Sequence, residues 1–473
     1  MGQFFRSEVT RMRKNKTIRT TLENGLTVVL REVHSAPIVS LWVWYRVGSR
    51  NETAGATGVS HWVEHMQFKG TAKYGPGEAD RAVSRVGGVW NAMTAEDWTT
   101  YYETVPDGEI DLVLDLEADR MVGSLFLPEE VDSERTVILS EREGLENDPM
   151  FKLDDAVKRA AFDVHPYRNE IIGETADLNV MGRDDLYRYY RNHYAPNNAV
   201  LTMAGNFDAD ETLEKIRARF GPIPRVETDP CAVIGEGEIP EARSVEVSGP
   251  GQLAYVQLSW RAPSARDDAF FVLAVLTSIL AGPASLNQFG GGGTGNRMSR
   301  LYRALVETGL AVGIAGDFSA SIDPGLYSIT LVLNSGVAPE EAVAAVDREI
   351  ERIHRGEISA EEVAKAARQA RAMFIFGSED ITNIAFWLGY SEMFADGSWF
   401  DSYVDRVAAV TASDVIDYAK RRLRTDNRVV GLYDPEDAGF PGPEFSGEPG
   451  AEEAEPDQDG GGEEKNTKIG GAQ

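Results

Sequence analysis

The chain has 473 residues, 42% of them hydrophobic, and a formal net charge of -29 at pH 7. This length allows two or three domains with ordinary cores. The negative charge argues against a nucleic-acid partner, because phosphate binding needs clustered Lys and Arg. The single cysteine, Cys231, excludes an internal disulfide and a multi-cysteine zinc site, so any metal has to bind to His, Asp or Glu.

The N-terminal segment, residues 1–19, is a basic lead-in without the apolar run of a secretory signal. No stretch of the chain approaches the roughly 18 consecutive apolar residues that a membrane span requires. We therefore predict no membrane span and a cytoplasmic location, with the periplasm or an organelle as alternatives.

The first half of the chain, residues 20–220, has the pattern of one domain that opens with strands and closes with a helix and a strand. Its turn signals and apolar runs are typical of short strands joined to amphipathic helices. In chain order the predicted elements are a pair of strands at Leu26–Leu30 and Ile38–Tyr45, a helix through His61, a helix at Leu186–Tyr194 and a strand at Ala199–Met203.

A proline-rich, polar stretch at residues 221–244 predicts a linker, and residues 245–433 repeat the order of the first half. The repeated elements are strands at Ser244–Ser248 and Ala254–Trp260, a helix at Ala269–Ala281, a helix at Ala412–Arg422 and a strand at Arg428–Leu432. The repetition predicts an α+β fold of two homologous domains, each a mostly antiparallel sheet packed with helices.

The C-terminal segment, residues 434–473, holds twelve acidic and two basic residues and almost no large apolar ones. Such a segment buries too little apolar surface to offset the entropy lost on ordering. We predict an acidic disordered tail.

The strongest chemical signal is the segment His61-Trp-Val-Glu64-His65. On a helix the two imidazoles, four residues apart, project from one face, as two ligands of a tetrahedral zinc must. Glu64 lies beside them and can hold a metal-bound water without ligating the metal, and Ser60 is positioned to cap the helix. The alternative is an ordinary polar helix face.

A second segment offers the remaining carboxylates. Glu134 and Glu141 are seven residues apart, which is two helical turns, and therefore lie on the same face of a predicted helix. If that helix packs against the first, Glu141 is placed to become the third ligand, with Glu134 behind it.

With this motif and these two glutamates, the chain resembles the zinc peptidases with the inverted H-x-x-E-H motif, which include pitrilysin, insulysin and mitochondrial processing peptidase. The resemblance is strongest to their short two-domain branch. The resemblance covers nearly all of residues 20–433. In that family a helix with E-x6-E follows the motif by some 75 residues, and this pattern falls on Glu134 and Glu141. Further matching segments are Gly87–Tyr101, His165–Tyr167, Ile172–Gly173, Tyr194–Asn198 and Ala204–Asn206.

The resemblance implies a zinc metallo-endopeptidase that acts on peptides or extended protein segments inside a clam-like chamber. In this assignment zinc is held by three side chains, a further Glu supports the site, one Glu is the general base, and the substrate adds as a strand beside an edge strand. The assigned residues are the ligands His61, His65 and Glu141, the supporting Glu134, the base Glu64, and the substrate-binding residues Asn91, Ala92, Met93 and Thr94. For residues 89–94 the alternative is an ordinary solvent-facing strand.

The second half departs from the family. In that family the second domain carries an Arg and a Tyr, seven residues apart, that hydrogen-bond the substrate near the scissile bond. In this chain Leu305 and Val312 occupy these positions. Neither side chain can donate a hydrogen bond. Nearby Arg300, Tyr302 and Arg303 lie at the wrong helical offset to replace them.

The chain therefore resembles the zinc-bearing member of a pair of unlike chains, whose homologous partner supplies the Arg–Tyr pair. The Gly-rich loop at residues 289–296 also resembles a loop of the non-catalytic subunit of mitochondrial processing peptidase, although a plain flexible loop is the alternative. Three other functions stay open: a self-sufficient homodimeric peptidase, a non-enzymatic structural or assembly subunit, and a cofactor-biosynthesis protease of the same fold.

Overall fold

The computed structural model describes residues 17–227, 235–284, 286 and 296–437. Cys231, residues 1–16, most of the Gly-rich loop and the tail from residue 438 onward lie outside these residues, as do the predictions made for them. Within the described residues no helix is both long enough and apolar enough to span a membrane.

The first half of the chain forms a six-stranded sheet with the order β1-β2-β6-β3-β5-β4. Strand β6 runs parallel to β2, and all other neighbours are antiparallel. The first two predicted strands, β2 and β3, are not direct neighbours, because β6, with all seven residues buried, lies between them. The strands are β1 (Thr17–Thr21), β2 (Thr27–Glu32), β3 (Ile38–Tyr45), β4 (Val89–Thr94), β5 (Thr99–Pro106) and β6 (Ala199–Gly205).

The second half forms a five-stranded sheet with the order β7-β11-β8-β10-β9, which repeats the arrangement of β2-β6-β3-β5-β4. Strand β11 is parallel to β7, as β6 is to β2. This repetition confirms the predicted α+β fold of two similar domains. The strands are β7 (Arg243–Gly251), β8 (Tyr255–Arg261), β9 (Ala311–Phe318), β10 (Leu326–Leu333) and β11 (Val429–Asp437).

The ends of three strands differ from the predicted boundaries. Strand β1 begins at Thr17, inside the predicted lead-in, and β7 begins at Arg243, inside the predicted linker. Strand β11 continues to Asp437, so the first four residues of the predicted disordered tail are ordered. They form a strand despite their acidic side chains because their backbone groups pair with β7, where Asp434 lies opposite Ser248.

Fourteen α-helices in the described residues surround the two sheets. In the first half they are α1 (Val59–Met66), α2 (Glu78–Arg85), α3 (Ile110–Gly123), α4 (Pro128–Leu145), α5 (Pro149–Ala161), α6 (Thr175–Val180), α7 (Arg183–His193) and α8 (Ala209–Phe220). In the second half they are α9 (Ala269–Leu280), α10 (Pro339–His354), α11 (Ala360–Phe376), α12 (Ile381–Phe394), α13 (Gly397–Ala409) and α14 (Ala412–Arg422).

The two halves exchange helices across their boundary. Helix α12 of the second half packs on the first sheet, where Gly389 lies directly on the indole of Trp44 and the hydroxyl of Thr202 donates to the carbonyl of Ala385 at 2.9 Å. Helix α5 of the first half packs on the second sheet, where Val157 lies against Gly431. Each sheet therefore has one face covered by a helix from the other half.

This exchange also fixes the position of α1. Strand β3 is buried on both faces, and its side chains alternate between them. Trp42 and Trp44 face α12, whereas Val43 belongs to the apolar cluster that contains Trp62 and Val63 of α1. Helix α1 thus lies on the sheet face opposite α12, with its apolar side buried.

Candidate metal centre

The first turn of α1 is held by the carboxylate of Glu52, a half-buried residue. Glu52 accepts hydrogen bonds from the backbone N–H groups of Gly58 (2.8 Å) and Ser60 (2.9 Å), two of the donors that a helix start leaves without helical partners. Burial raises the pKa of Glu52 to about 7, against the opposing effect of these hydrogen bonds. The predicted cap at Ser60 is wrong, because Gly58 is the capping position and Ser60 is already helical; its hydroxyl instead lies 2.8 Å from that of Tyr189.

Two glycines bring the start of α1 against a neighbouring loop. Gly58 has a φ of +85° and Gly173 a φ of +83°, a region that favours glycine. A Cβ on Gly58 would lie 2.5 Å from the carbonyl oxygen of Ile172, and one on Gly173 would lie 2.5 Å from the backbone nitrogen of Gly58. This contact gives a physical reason for the Ile172–Gly173 segment, to which the sequence assigns no role.

Three potential ligand atoms meet at the exposed side of α1. The Nε2 atoms of His61 and His65 are 3.2 Å apart, and Oε2 of Glu141 on α4 lies 3.9 Å from the first and 3.7 Å from the second. Ligands about 2.1 Å from a tetrahedral zinc are spaced about 3.4 Å from one another. In the described part of the chain this is the one group of three such side chains whose ligand atoms lie within 4.8 Å of each other.

Glu134 supports the cluster from behind. Its Oε1 lies 2.8 Å from Nδ1 of His65, and its carboxylate also pairs with the ammonium of Lys69. A carboxylate on the far nitrogen of a metal-binding histidine fixes the tautomer and directs the other nitrogen to the metal. Helix α4 is held against α1 in part by the guanidinium of Arg135, which lies 4.7 Å from the ring of Trp62.

The two histidines differ in their electrostatic environments. Burial lowers the pKa of His61 to about 3, and the proximity of His65 adds to this effect. Burial acts to lower the pKa of His65 as well, but the hydrogen bond to Glu134 and the nearby carboxylates outweigh it, so this pKa is raised. His61 is therefore neutral at physiological pH without a metal, as a ligand must be.

Glu64 is buried beside the cluster but lies outside the group of three. Burial raises the pKa of Glu64, while a 2.6 Å hydrogen bond donated by the hydroxyl of Thr94 acts in the opposite direction. A carboxyl group in such a position suits general acid–base chemistry, because its pKa is moved toward neutral pH. The link to Thr94 is a contact that sequence reasoning missed.

The predicted substrate-binding residues lie on β4, which is an edge of the first sheet. Of these residues, Thr94 reaches Glu64, whereas Asn91, Ala92 and Met93 precede it along the strand. The side-chain oxygen of Asn91 accepts the backbone N–H of Ala92 at 2.9 Å. Among the described residues no strand pairs with the outer edge of β4, and the end of this strand reaches Glu64 beside the metal cluster.

The second half offers no side-chain hydrogen-bond donor at Leu305 and Val312, the two positions that depart from the family. Leu305 is buried in a π-helical turn, and Val312 is an exposed apolar residue on β9. Arg300 is bound by Glu362 through hydrogen bonds of 2.8 and 2.7 Å, so its guanidinium is already engaged.

A second polar network, which sequence reasoning also missed, joins the two halves behind β4. Asp97 accepts hydrogen bonds from the hydroxyl of Tyr167 (2.6 Å) and from the backbone N–H of Ile322 (2.8 Å). Asp323 pairs with Arg50 at 2.6 Å and lies 3.0 Å from Nε2 of His165. The only available signal was the His165–Tyr167 segment, which matches the family without indicating a contact. A cavity of about 490 Å³ lies beside this network, between the two halves.

Comparisons with known proteins agree with this fold. The family model described as insulinase, peptidase family M16, matches residues 27–175, and that of the peptidase M16 inactive domain matches residues 181–370. An uncharacterised zinc protease of Streptomyces coelicolor is 30% identical over 84% of this chain and 85% of its own length. A probable mitochondrial-processing peptidase subunit beta of Arabidopsis thaliana is 27% identical over 86% of this chain and 80% of its own length.

A solved structure shares this fold. The crystal structure of a protease from Helicobacter pylori has a TM-score of 0.82 and 24% identity, covering 89% of this chain and 100% of that chain. The chain belongs to peptidase family M16, the zinc peptidases with the inverted motif. The two family models and the Streptomyces coelicolor relative confirm the predicted family resemblance.

Proposed function

We propose that this chain is a zinc-dependent endopeptidase that hydrolyses peptides or extended protein segments. The observation that carries the proposal is the convergence of His61, His65 and Glu141, with Glu64 buried beside them. The ligand spacings of 3.2 to 3.9 Å bracket the tetrahedral value, and two nitrogen donors with one carboxylate are a zinc donor set. The zinc-protease names of several relatives agree with this choice of metal.

In this proposal His61, His65 and Glu141 hold the metal, and Glu134 keeps His65 oriented. When bound, zinc supplies Lewis acidity, which polarises a carbonyl and makes water more acidic. Glu64 accepts the proton of the water that attacks the scissile carbonyl and passes it to the leaving amine. Its burial beside the cluster and its hydrogen bond to Thr94 suit that role.

The substrate is proposed to bind as an added strand along β4. The backbone groups on the outer edge of β4 can pair with an extended peptide, which provides affinity with little side-chain selectivity. Asn91, Ala92, Met93 and Thr94 would contact the peptide, and Thr94 would lie nearest the scissile bond because it touches Glu64.

A homologous partner chain is proposed to complete the site. This part of the proposal rests on Leu305 and Val312, which cannot hydrogen-bond a substrate, and on the engagement of Arg300 by Glu362. A relative whose name designates it a subunit, the Arabidopsis thaliana protein, supports an assembly of unlike chains. Leu305 and Val312, together with the match to the inactive-domain model, favour a non-enzymatic subunit as the second candidate function.

A quenched peptide tests the proposal. We expect hydrolysis by the zinc-loaded protein and a loss of at least about a thousandfold in kcat for Glu64→Gln, with zinc retained, because the amide cannot accept the proton. Equal hydrolysis by this variant would remove Glu64 from its role. Stoichiometric zinc without hydrolysis under any condition would favour the non-enzymatic subunit.

The partner is tested by comparison of the isolated chain with mixtures that contain homologous chains from the same organism. We expect kcat/KM to rise when a chain with the Arg–Tyr pair is added. Full activity of the chain alone, at concentrations where it is monomeric, would refute the need for a partner, and activity only as a dimer of itself would favour the homodimeric alternative.

A further inference from the structure

The hydrogen bond between Thr94 and Glu64 joins the edge strand to the buried carboxylate. The hydroxyl of Thr94 donates to Oε2 of Glu64 at 2.6 Å, a short distance typical of a bond to an ionised acceptor. Glu64 is buried and Thr94 is half-buried, so the bond meets limited competition from solvent. It occupies one carboxylate oxygen and leaves Oε1 for other contacts.

The position of Thr94 is fixed by the turn that follows it. Thr94 is the last residue of β4 and lies opposite Thr99 on β5. The turn closes with a 2.8 Å hydrogen bond from the N–H of Ala95 to the carbonyl of Trp98. Its backbone also accepts hydrogen bonds from the segment before α1, from Ser49 to the carbonyl of Ala95 at 3.2 Å and from Arg50 to that of Glu96 at 2.8 Å.

The second half of the chain holds the same turn from the other side. Asp97, within the turn, is buried and accepts a hydrogen bond from the backbone N–H of Ile322, which lies in the loop between β9 and β10. The neighbouring Asp323 binds Arg50, whose backbone is itself bonded to the turn. The end of β4 is therefore held between both halves, and Thr94 has little freedom to leave Glu64.

We propose that Thr94 is a positioning residue whose hydroxyl orients Glu64, so that one strand both receives the peptide and aligns the base that acts on it. This inference rests on the proposed function, because it assigns Thr94 a role toward the base. Strand addition along β4 would further order Thr94 and thereby Glu64. The alternative is a purely structural bond that satisfies a buried carboxylate.

Three variants separate these roles in whichever preparation of the wild-type protein hydrolyses the peptide. Thr94→Val keeps the shape and removes the hydroxyl, and Thr94→Ser keeps the hydroxyl. Thr100→Val removes a buried hydroxyl from β5 that donates to the carbonyl of Val43 and does not touch Glu64. The measurements are kcat, KM, zinc affinity and melting temperature.

We expect Thr94→Val to lower kcat about 10- to 100-fold, as loss of a hydrogen bond to a charged group would, with KM and zinc affinity little changed. Thr94→Ser should recover most of kcat, and Thr100→Val should lower the melting temperature without lowering kcat. Unchanged kcat in Thr94→Val, failure of Thr94→Ser to recover it, or a loss confined to KM or zinc affinity would overturn the inference. If Thr94→Val does not fold, the kcat of Thr94→Ala is compared with that of Thr94→Ser, since these two variants also differ in the hydroxyl.

These outcomes remain separate from a failure of the proposed function. A wild-type protein that holds zinc but never hydrolyses a peptide refutes the peptidase. Equal rates of peptide hydrolysis in the wild-type protein and in Thr94→Val refute only the role of Thr94.

The contribution of the network that joins this turn to the second half is tested by a double-mutant cycle with Tyr167→Phe, which removes the hydroxyl that donates to Asp97 and accepts the N–H of Asp323. If the turn acts through Thr94, Tyr167→Phe should lower kcat in the wild-type background and have little further effect in Thr94→Val. Additive losses in kcat would show that the turn does not act through Thr94.

Discussion

At the scale of single residues, the two histidines of the cluster are supported unequally. Nδ1 of His65 is held by Glu134, whereas Nδ1 of His61 is buried with no hydrogen-bond partner among the described residues. The orientation of His61 therefore depends on packing within α1, and that of His65 depends on a specific carboxylate. Single substitutions should reveal this asymmetry.

Replacement of Glu134 by Gln should weaken zinc binding about 10- to 100-fold, the usual effect of losing a carboxylate that supports a metal-binding histidine. Excess zinc should restore hydrolysis, because no ligand has been removed. Competition with a chromogenic chelator measures the affinity. Glu143→Gln, on the exposed side of the same helix, is the matched control and should bind zinc like the wild type.

The pH dependence of zinc affinity follows from the same asymmetry. The pKa of His65 is raised, so its proton competes with zinc near neutral pH, whereas the pKa of His61 is lowered to about 3 and its proton does not compete. Zinc affinity should therefore fall as pH decreases through the pKa of His65, by about tenfold per pH unit. A slope of two protons per zinc between pH 6 and 7 would contradict this assignment.

The residues that meet at the cluster could be predicted because the helical period places His61 beside His65 and Glu134 in line with Glu141. The helical period does not predict which loop caps a helix, or which strand ends against the face of that helix. The contact of Glu52 with the start of α1 and that of Thr94 with Glu64 were missed for this reason, since each joins segments that only the tertiary fold brings together.

At the scale of elements, the placement of α1 depends on the contact between Gly58 and Gly173. Substitution of Gly173 by Ala should shift the start of α1, lower stability by about 2 kcal/mol or more, and weaken zinc binding, because a Cβ would meet backbone atoms and φ is positive. Urea unfolding and zinc titration check both effects.

Gly55 is the control for Gly173, because it has a similar φ of +89° but open space around it. Gly55→Ala should show only the smaller cost of the strained backbone and should leave zinc affinity unchanged. Equal losses of zinc affinity in both variants would refute the role assigned to the close contact.

The elements themselves were largely predictable, but their neighbours were not. The apolar runs of β3 and β8 and the helical patterns of α1 and α14 fall close to their predicted ranges. The place of β6 between β2 and β3 and that of β11 between β7 and β8 arise from pairing across more than 150 residues, as between Thr27 and Val200, and local periodicity does not encode such pairing.

At the scale of the whole molecule, the exchange of α5 and α12 makes the two halves interdependent. Removal of the second half would expose the apolar face of the first sheet that contains Trp42 and Trp44. Removal of the first half would expose the face of the second sheet that contains Val429 and Tyr433. We therefore predict one cooperative unfolding transition, with tryptophan fluorescence and far-UV circular dichroism coincident. Two separated transitions would show that the halves fold independently.

The central claim is that zinc on this cluster confers peptidase activity. The most direct measurement is a titration of zinc into the metal-stripped protein, with partner chain present if the wild type needs it, while hydrolysis of a quenched peptide is followed. Activity should rise in proportion to bound zinc and saturate at about one zinc per chain. Hydrolysis that persists without zinc, or a fully zinc-loaded protein that hydrolyses nothing, would contradict the claim.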